Sequence, residues 1–579
     1  MIVEGTVSGR SWRLRPADPA RSTAIAQHHG LPEILARVLA GRGLEPADVP
    51  GFLEPRLKDA LPDPSHLADL DRVADRLADA VLAGERIGIV GDYDVDGATS
   101  TALAASWLRA VGIVPEIAIP DRLAEGYGAS PALLGRLADA GCRLVLTLDN
   151  GTSAFAALAF AAAQGQEVIV VDHHRAEDRL PEAFGIVNPN RPGQASPLAH
   201  LAAVGVTFVV LAATARELRR RGAGDRLPDL LGLLDLVALG TVCDVVPLDG
   251  VNRALVRQGL KVAARGARPG LAALARAAGL ETVEQSWHLG FVLGPRLNAG
   301  GRLGESLLAT RLLLAEEPAE AASLAARLDA LNGRRQALER SLTAAAEAAV
   351  QPQLDDDAPV LIAAGEGWHP GVLGIVASRL VERYGRPAFV VSIADGVAKG
   401  SGRSVPRLDL GALVIAAKAR GILREGGGHA MAAGITAAPE RLAELAAFAA
   451  EHARPVAAAG EAEPLELDGA LQVAGVTAEL AAALDRLAPF GPGNAEPRFC
   501  LTDARIVEAR EVGRGHLSVV IAGTAAGRVR GIAFRAGERA LGGALQRRGE
   551  PLRLAGRVKL ERWRGEARAS FEIEDAAPG

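Results

Sequence analysis

Four short apolar runs in the first half of the chain each end in a turn that carries an aspartate. Arg86 to Val90 leads into Gly91-Asp92-Tyr93-Asp94-Val95-Asp96-Gly97, and Arg143 to Leu148 leads into Asp149-Asn150-Gly151. Glu167 to Val171 leads into Asp172-His173-His174-Arg175, and Leu234 to Gly240 into Thr241-Val242-Cys243-Asp244. Runs of this length suit strands of a buried parallel sheet, while the fourth also reads as a helix. Helical patterns between them, Ala98 to Ala110 and Pro131 to Ala140, complete the signature of βαβ units. In open α/β sheets ligands sit beyond the carboxyl ends of the strands, so polar groups placed there from several strands converge on one point.

That convergence predicts a metal site. In an extended segment the alternate residues Asp92, Asp94 and Asp96 face one side, with Gly97 allowing a sharp turn into the next helix. Buried and unpaired, such carboxylates each cost several kcal/mol, on the order of the penalty for any uncompensated buried charge, unless cations sit among them. Hard oxygen ligands with an imidazole suit Mn²⁺ or Mg²⁺. An EF-hand calcium loop is disfavoured because Leu103 stands where the loop needs its closing Glu. Adjacent residues of an extended segment project to opposite sides, so only one of His173 and His174 shares a metal with the Asp92 cluster. The other is free to meet a phosphate oxygen or donate a proton.

With 579 residues and 49% hydrophobic content the chain is long enough for several cores, and disorder is not its theme. No apolar run reaches the length of a membrane span, and no secretory signal opens the sequence, so a cytoplasmic location is expected. Cys142, Cys243 and Cys500 are far apart and lack CxxC spacing, which argues for buried apolar residues over disulfides or zinc. A net charge of -5 decides nothing about nucleic acid, because phosphate binding needs only a local basic surface.

The expected organisation is an N-terminal extension (1–70) packed on the first core, a parallel-sheet α/β domain (71–300), a connecting helix (301–352), a second α/β domain (353–455) and a C-terminal β-barrel of OB type (464–579). The connector rests on Leu324, Leu328, Leu331, Leu338 and Leu342 at helical spacing. His452 to Glu463, rich in Ala, Pro and Glu, reads as a linker. The barrel rests on period-two runs at His516 to Ala522, Arg528 to Phe534, Leu552 to Leu560 and Ala569 to Ile573.

The order and wording of the motifs resemble the DHH phosphoesterase superfamily, whose triplet is Asp172-His173-His174 here. Further stretches resemble its RecJ-type exonucleases. They are Pro120-Asp121-Arg122, Glu125-Gly126-Tyr127-Gly128, Val187-Asn188-Pro189-Asn190, Leu293 to Arg302, Trp368 to Val376, Ser401-Gly402-Arg403-Ser404, Gly426 to Gly434 and Pro489 to Asn494. The resemblance implies a DHH-type domain, a DHHA1-type substrate-binding domain and a single-strand-specific 5′→3′ DNA exonuclease that releases 5′ mononucleotides with two divalent cations. It implies that Asp149 bridges both ions, that Asp96, His173 and Asp244 complete one and that Asp94 belongs to the other. Val90 stands where many members of the family carry a His, which leaves Asp92 or water to complete the second ion. His174 is a phosphate ligand in that scheme, and activity should fall in acid because a ligating His173 must be neutral.

For the substrate, the resemblance assigns Arg122, Ser401 and Arg403 to a 5′ phosphate. Arg296, Asn298 and Arg302 are placed to track an entering strand. Gly427 and Gly428 allow close backbone approach to phosphates, and His429 adds a polar contact. Arg547, Arg548, Arg553, Arg557, Lys559, Arg562, Arg564 and Arg568, with Trp563 and Phe534, suggest a basic stacking surface on the barrel. A role in DNA repair and recombination, a monomeric state, and a single-strand-binding protein and a RecQ-type helicase as partners complete the expectations. The competing readings are another phosphoesterase of the superfamily, disfavoured by the barrel, and a non-catalytic replication scaffold, disfavoured by the intact set of carboxylates.

Overall fold

Three of the four apolar runs are strands and one is a helix. In the computed structural model, β1 (Ile87–Val90), β2 (Glu116–Ala118), β3 (Leu144–Leu148), β4 (Glu167–Val171) and β5 (Gly185–Val187) form one sheet in the order β2-β1-β3-β4-β5. Every pairing in it is parallel. β1 and β3 are buried along their whole length, which explains their unbroken Ile, Val and Leu runs. The structure describes all residues except 1, 123, 459–462, 514, 525–526, 538 and 564–565. They fall into two units, one of residues 63–246 and 258–460, the other of 1–62, 247–257 and 461–579.

In the first unit β1 is followed by α1 (Val95–Ala110), and β5 by α2 (Ala203–Arg220) and α3 (Leu234–Cys243), the helix that occupies the fourth run. α3 is buried nearly all round, so its sequence lacks the apolar stripe that marks a surface helix. α4 (Gly294–Arg302) leads towards α5 (Pro318–Asp355), a single helix of 38 residues and about 57 Å. Pro318 starts α5 in the position where its missing N–H costs nothing. Leu342, Ala346 and Val350 of α5 share a core with β6 (Leu361–Glu366), α6 (Leu373–Tyr384) and β7 (Ala388–Ala394). The second sheet runs β9-β10-β8-β7-β6, with β8 at Val397–Arg403, β9 at Glu425–His429 and β10 at Ala432–Ala437. The Ala- and Pro-rich stretch read as a linker is helical as far as Ala458, and its next four residues lie outside the described ones.

The second unit holds the barrel. β11 (Gly469–Leu471), β12 (Phe499–Val512), β13 (His516–Ala522), β14 (Arg528–Ala533), β15 (Pro551–Trp563) and β16 (Glu566–Pro578) run in the order β11-β12-β13-β14-β16-β15, and a β12–β15 pairing closes the ring. β12 escapes a period-two reading because its register shifts twice, between Leu501 and Ala504 and between Ile506 and Glu508. Residues 1–62 belong to this unit and not to the first parallel sheet. Ile25, Leu35, Leu39, Val49 and Leu53 share one core with Phe499, Ile506 and Phe571 of the barrel. The expectation that the N-terminal extension packs on the first core is thereby corrected. Its apolar helical face identified a packing surface but not the partner. Among the described residues no helix is long and apolar enough to cross a membrane.

Candidate active site

β1, β3 and β4 are adjacent and parallel, so the turns after them meet at one edge of the sheet, and α3 brings Asp244 to the same place. Asp92, Asp94 and Asp96 do not share one extended face, because α1 begins at Val95. Asp94 is the cap of α1, its Oδ1 accepting from Gly97 N–H at 3.0 Å, and Asp96 lies in the first turn. The three carboxylates therefore divide between two clusters. Asp92, Asp94 and Asp149 offer oxygens within 4.8 Å of one another, and carboxylate oxygens of Asp96 and Asp244 lie equally close to a ring nitrogen of His173. Gly97 is required for close packing and not for a turn, since a Cβ there would stand 2.5 Å from Cβ of Asp92.

Asp149 joins the clusters. Its Oδ1 lies 3.4 Å from His173 Nε2 and 3.8 Å from His174 Nδ1, and Asp149, His173 and His174 form a third close group. Asp149 has a φ of 65°, a conformation that costs a non-glycine residue free energy and is held here by its surroundings. Tyr127 Oη donates to its carbonyl at 2.7 Å, while Asn150 Nδ2 donates to Leu148 O at 2.8 Å and Val90 O at 3.3 Å, tying the ends of β1 and β3 together. Asp96 is fixed by two amides at the start of α2, from Ala203 at 2.6 Å and Val204 at 2.9 Å.

The electrostatics follow from packing acids together in a dry place. Burial, and then Asp94, push the Asp92 carboxyl well above its usual range, and burial with Asp96 does the same to Asp149. Burial, aided by neighbouring acids, raises Asp96 to about 7 and Asp244 to about 9. Burial and the neighbouring His174 lower His173 to about 4, which keeps it neutral and able to act as a ligand. Burial opposes a charged His174, but its bond to Asp172 and the surrounding acids outweigh this and raise it to about 9. Asp92 Oδ1, Asp149 Oδ1 and Asp244 Oδ2 are buried without a hydrogen-bond partner. Orphaned carboxylate oxygens beside a neutral imidazole are the donor set a hard divalent cation needs, so the residues fit such an ion.

The residues expected to meet substrate lie mostly on the second sheet. Its register pairs Ser401 with Gly434 and Gly434 with Gly427, and likewise Arg403 with Ala432 and Ala432 with His429. Directly paired residues share a face, so Ser401, Arg403, Gly427 and His429 point to one side. The glycine run is an edge strand, not a loop. A Cβ at Gly427 or Gly434 would meet open space, whereas one at Gly428 would collide with Ala432 O at 2.3 Å. Arg403 Nη1 donates to Ser401 Oγ at 3.0 Å, and Gly374 in the first turn of α6 leaves room for both side chains. Arg122 lies 5.1 Å from the Tyr93 ring centre and is an electrostatic neighbour of both Arg302 and Arg403, so three cations gather with no acid paired to them by an ion pair among the described residues. Burial and Arg122 lower Arg302 to about 10. Arg296 is turned to Asp329 at 2.8 Å, and Asn298 is half-buried on α4.

Asn188 and Asn190 have a role their motif did not suggest: Asn188 Nδ2 donates to His174 O at 2.9 Å and Asn190 Nδ2 to His173 O at 2.7 Å. They work through backbone carbonyls, which leave no trace in side-chain spacing. The basic stretch of the barrel is a correction in the other direction. Arg557 pairs with Glu574 of the neighbouring strand at 2.6 Å, Lys559 with Glu496 just before β12 at 2.6 Å and Arg568 with Glu566 of its own strand at 2.6 Å, so part of its charge is paired with acids. Arg564 lies outside the described residues, as do the side chains of Arg562 and Trp563. Phe534 is exposed and meets the His516 ring edge-on at 5.3 Å.

Comparison with known proteins agrees with this architecture. Residues 86–241 match the DHH family N-terminal domain, 357–454 the DHHA1 domain and 467–575 the RecJ OB domain. The single-stranded-DNA-specific exonuclease RecJ of Bacillus subtilis (strain 168) is 34% identical over 573 residues, which cover 98% of this chain and 70% of the relative. The chain belongs to the RecJ family. RecJ of Escherichia coli (strain K12) is 38% identical over 508 residues, covering 85% of this chain and 87% of that relative. The crystal structure of RecJ in complex with Mn²⁺ from Thermus thermophilus matches with a TM-score of 0.80 at 32% identity, over 98% of this chain and 79% of that one. The RecJ resemblance read from the motifs is thus matched along the chain, including the barrel.

Proposed function

We propose that the chain is a single-stranded-DNA-specific 5′→3′ exonuclease that releases 5′ mononucleotides by phosphodiester hydrolysis with two divalent cations, Mn²⁺ or Mg²⁺. The observation that carries the reading is Asp149, whose buried, unpartnered Oδ1 stands among Asp92, Asp94, His173 and His174. Asp149, Asp96, His173 and Asp244 would hold one ion, and Asp149, Asp94 and Asp92 the other, with Asp92 taking the place left by Val90. Bound there, the ions supply a nucleophilic water near neutral pH and charge neutralisation at the phosphate.

The chain's own residues do the rest. Asp96, clamped by two amides of α2, holds its position against the repulsion of its neighbours. A charged His174 donates to a phosphate oxygen from the open side of the site, where its side chain is 41% exposed. Arg122, Ser401 and Arg403 anchor a terminal 5′ phosphate, for which guanidinium forks are well shaped. Arg302, Arg296 and Asn298 follow the strand along α4, and Gly427, Gly428 and His429 let the backbone edge of the second sheet approach it. The enzyme would act in DNA repair and recombination, as a cytoplasmic monomer, beside a single-strand-binding protein and a RecQ-type helicase.

The test is release of mononucleotides from single-stranded DNA labelled at its 3′ end, with Mn²⁺ or Mg²⁺ and a blunt-duplex control. The expected result is a ladder that shortens from the 5′ end and is absent from the duplex and from Asp149→Ala. Tight single-strand binding without cleavage under either metal would instead support a scaffold.

A further inference from the structure

Two aromatic side chains of the first unit face solvent on the turn that leads into α4 and have no part in the scheme above. Phe291 is 82% exposed and Trp287 is 48% exposed. Trp287 precedes and Phe291 lies within a π-helical turn, His288–Leu293, a rare geometry that recurs at functional sites. The turn is sharply two-sided. Leu289 and Leu293 are fully buried on one side, which leaves Trp287 and Phe291, also four apart, on the other.

The buried side rests on the last turn of α3. Cys243 Sγ lies 3.5 Å from Leu289 O, and a Cβ at Gly294 would stand 2.6 Å from the same sulfur. The next residue along from Cys243 is Asp244. On its other flank the turn continues into α4, and Arg296 Nη1 donates to Val292 O at 2.8 Å, so the aromatic turn and the first arginine of α4 are one piece. Flat apolar rings on a turn that carries Arg296 and packs against the neighbour of Asp244 match the two halves of an unpaired nucleotide, the base and the phosphate.

We propose that Trp287 and Phe291 form a stacking platform for unpaired nucleobases of the strand entering the site. The inference rests on the exonuclease reading and deepens it. Bases in a duplex have both faces stacked on neighbours, so the platform favours single strands by its chemistry.

The test compares the full-length chain with Trp287→Leu, Phe291→Leu and the double variant, with Phe291→Tyr as the ring-preserving control, in Mn²⁺. Substrates are a 5′-phosphorylated oligothymidylate and versions carrying one abasic site stepped inward from the 5′ end. The double variant should raise KM roughly five- to hundredfold with kcat little changed, the range of one lost base stack, and Phe291→Tyr should keep the wild-type KM. At one position an abasic site should raise the wild-type KM to the variant's value while leaving the variant unaffected. A double variant with wild-type KM, or one that responds to abasic sites as the wild type does, overturns the platform. If the wild-type chain leaves the strand intact, the exonuclease reading falls and takes the platform with it.

Discussion

His174 Nδ1 and Asp172 Oδ1 stand 2.8 Å apart, and the same oxygen accepts the amides of His173 at 2.8 Å and His174 at 3.2 Å. Its other oxygen accepts from Thr152 N–H at 3.1 Å. Asp172 thus spends its lone pairs inside the chain and braces both histidines. Although burial opposes its ionised form, these bonds hold its carboxyl well below the usual range.

Asp172→Asn should therefore lower kcat roughly 10- to 100-fold, the usual cost of losing a partner that orients a ligating or phosphate-facing His. The charged state of His174 should be lost nearer neutrality than its present value of about 9. A pH–rate profile reads this: the variant should lose activity between about pH 6.5 and 9 relative to the wild type, and an unshifted profile would refute the brace.

Asp149→Asn removes the carboxylate common to the clusters. Nucleotide release should fall on the order of a thousandfold or more, the upper end of the cost of losing a key electrostatic group. The metal-free chain should nevertheless melt at a higher temperature than the wild type, because one of several mutually repelling buried acids is gone. Equal melting temperatures with and without the substitution would show that the cluster is not strained by its charge.

The acids of the site make stability depend on pH in an unusual direction. Burial raises Asp96 to about 7 and Asp244 to about 9, both above the ordinary aspartate value of 3.8. Between the ordinary value and the raised ones the folded, metal-free chain binds more protons than the unfolded chain, so stability falls as pH rises. Cations reverse this by binding the ionised acids. The gain in melting temperature on adding Mn²⁺ should grow steadily from pH 5.5 to 8.5, and a gain independent of pH would count against these ligands.

Arg403→Ala should act on the terminal phosphate alone. KM for a 5′-phosphorylated strand should rise roughly tenfold, as expected for a charge-assisted contact of about 1.5 kcal/mol, while a 5′-hydroxyl strand should be degraded much as before. Equal losses on both substrates would remove Arg403 from the 5′ end.

Arg253 is a stability prediction. It is 2% exposed, lies 3.9 Å from the Phe52 ring centre and donates to the carbonyls of Phe52, Leu487 and Ala488 at 2.9–3.0 Å. Arg253→Ala leaves those carbonyls unpaired and should cost about 2–4 kcal/mol, measurable by denaturant unfolding. Arg253→Lys should recover only part of that, since an ammonium lacks the planar fork.

Read as a sequence, the chain already carries the candidate ligand types and their placement. The runs ending at Val90, Leu148 and Val171 name three strands, because a buried parallel strand needs unbroken apolar residues and a turn must follow it. Asp94, Asp149 and His173 are legible for that reason, whereas Asp244 ends a helix, and the barrel from His516 onward is legible from its period of two. Tertiary structure alone decided how the acids divide: α1 starts at Val95, so Asp96 is carried to the amides of Ala203 and Val204 while Asp92 and Asp94 stay with Asp149. It also decided that Arg557 and Lys559 are spent on Glu574 and Glu496, that residues 1–62 complete the barrel's core, and that Asn188 and Asn190 hold the histidines by their carbonyls. Local patterns record how each segment meets water, period by period. Which segments meet one another is set by packing between residues hundreds of positions apart, and no local pattern encodes that.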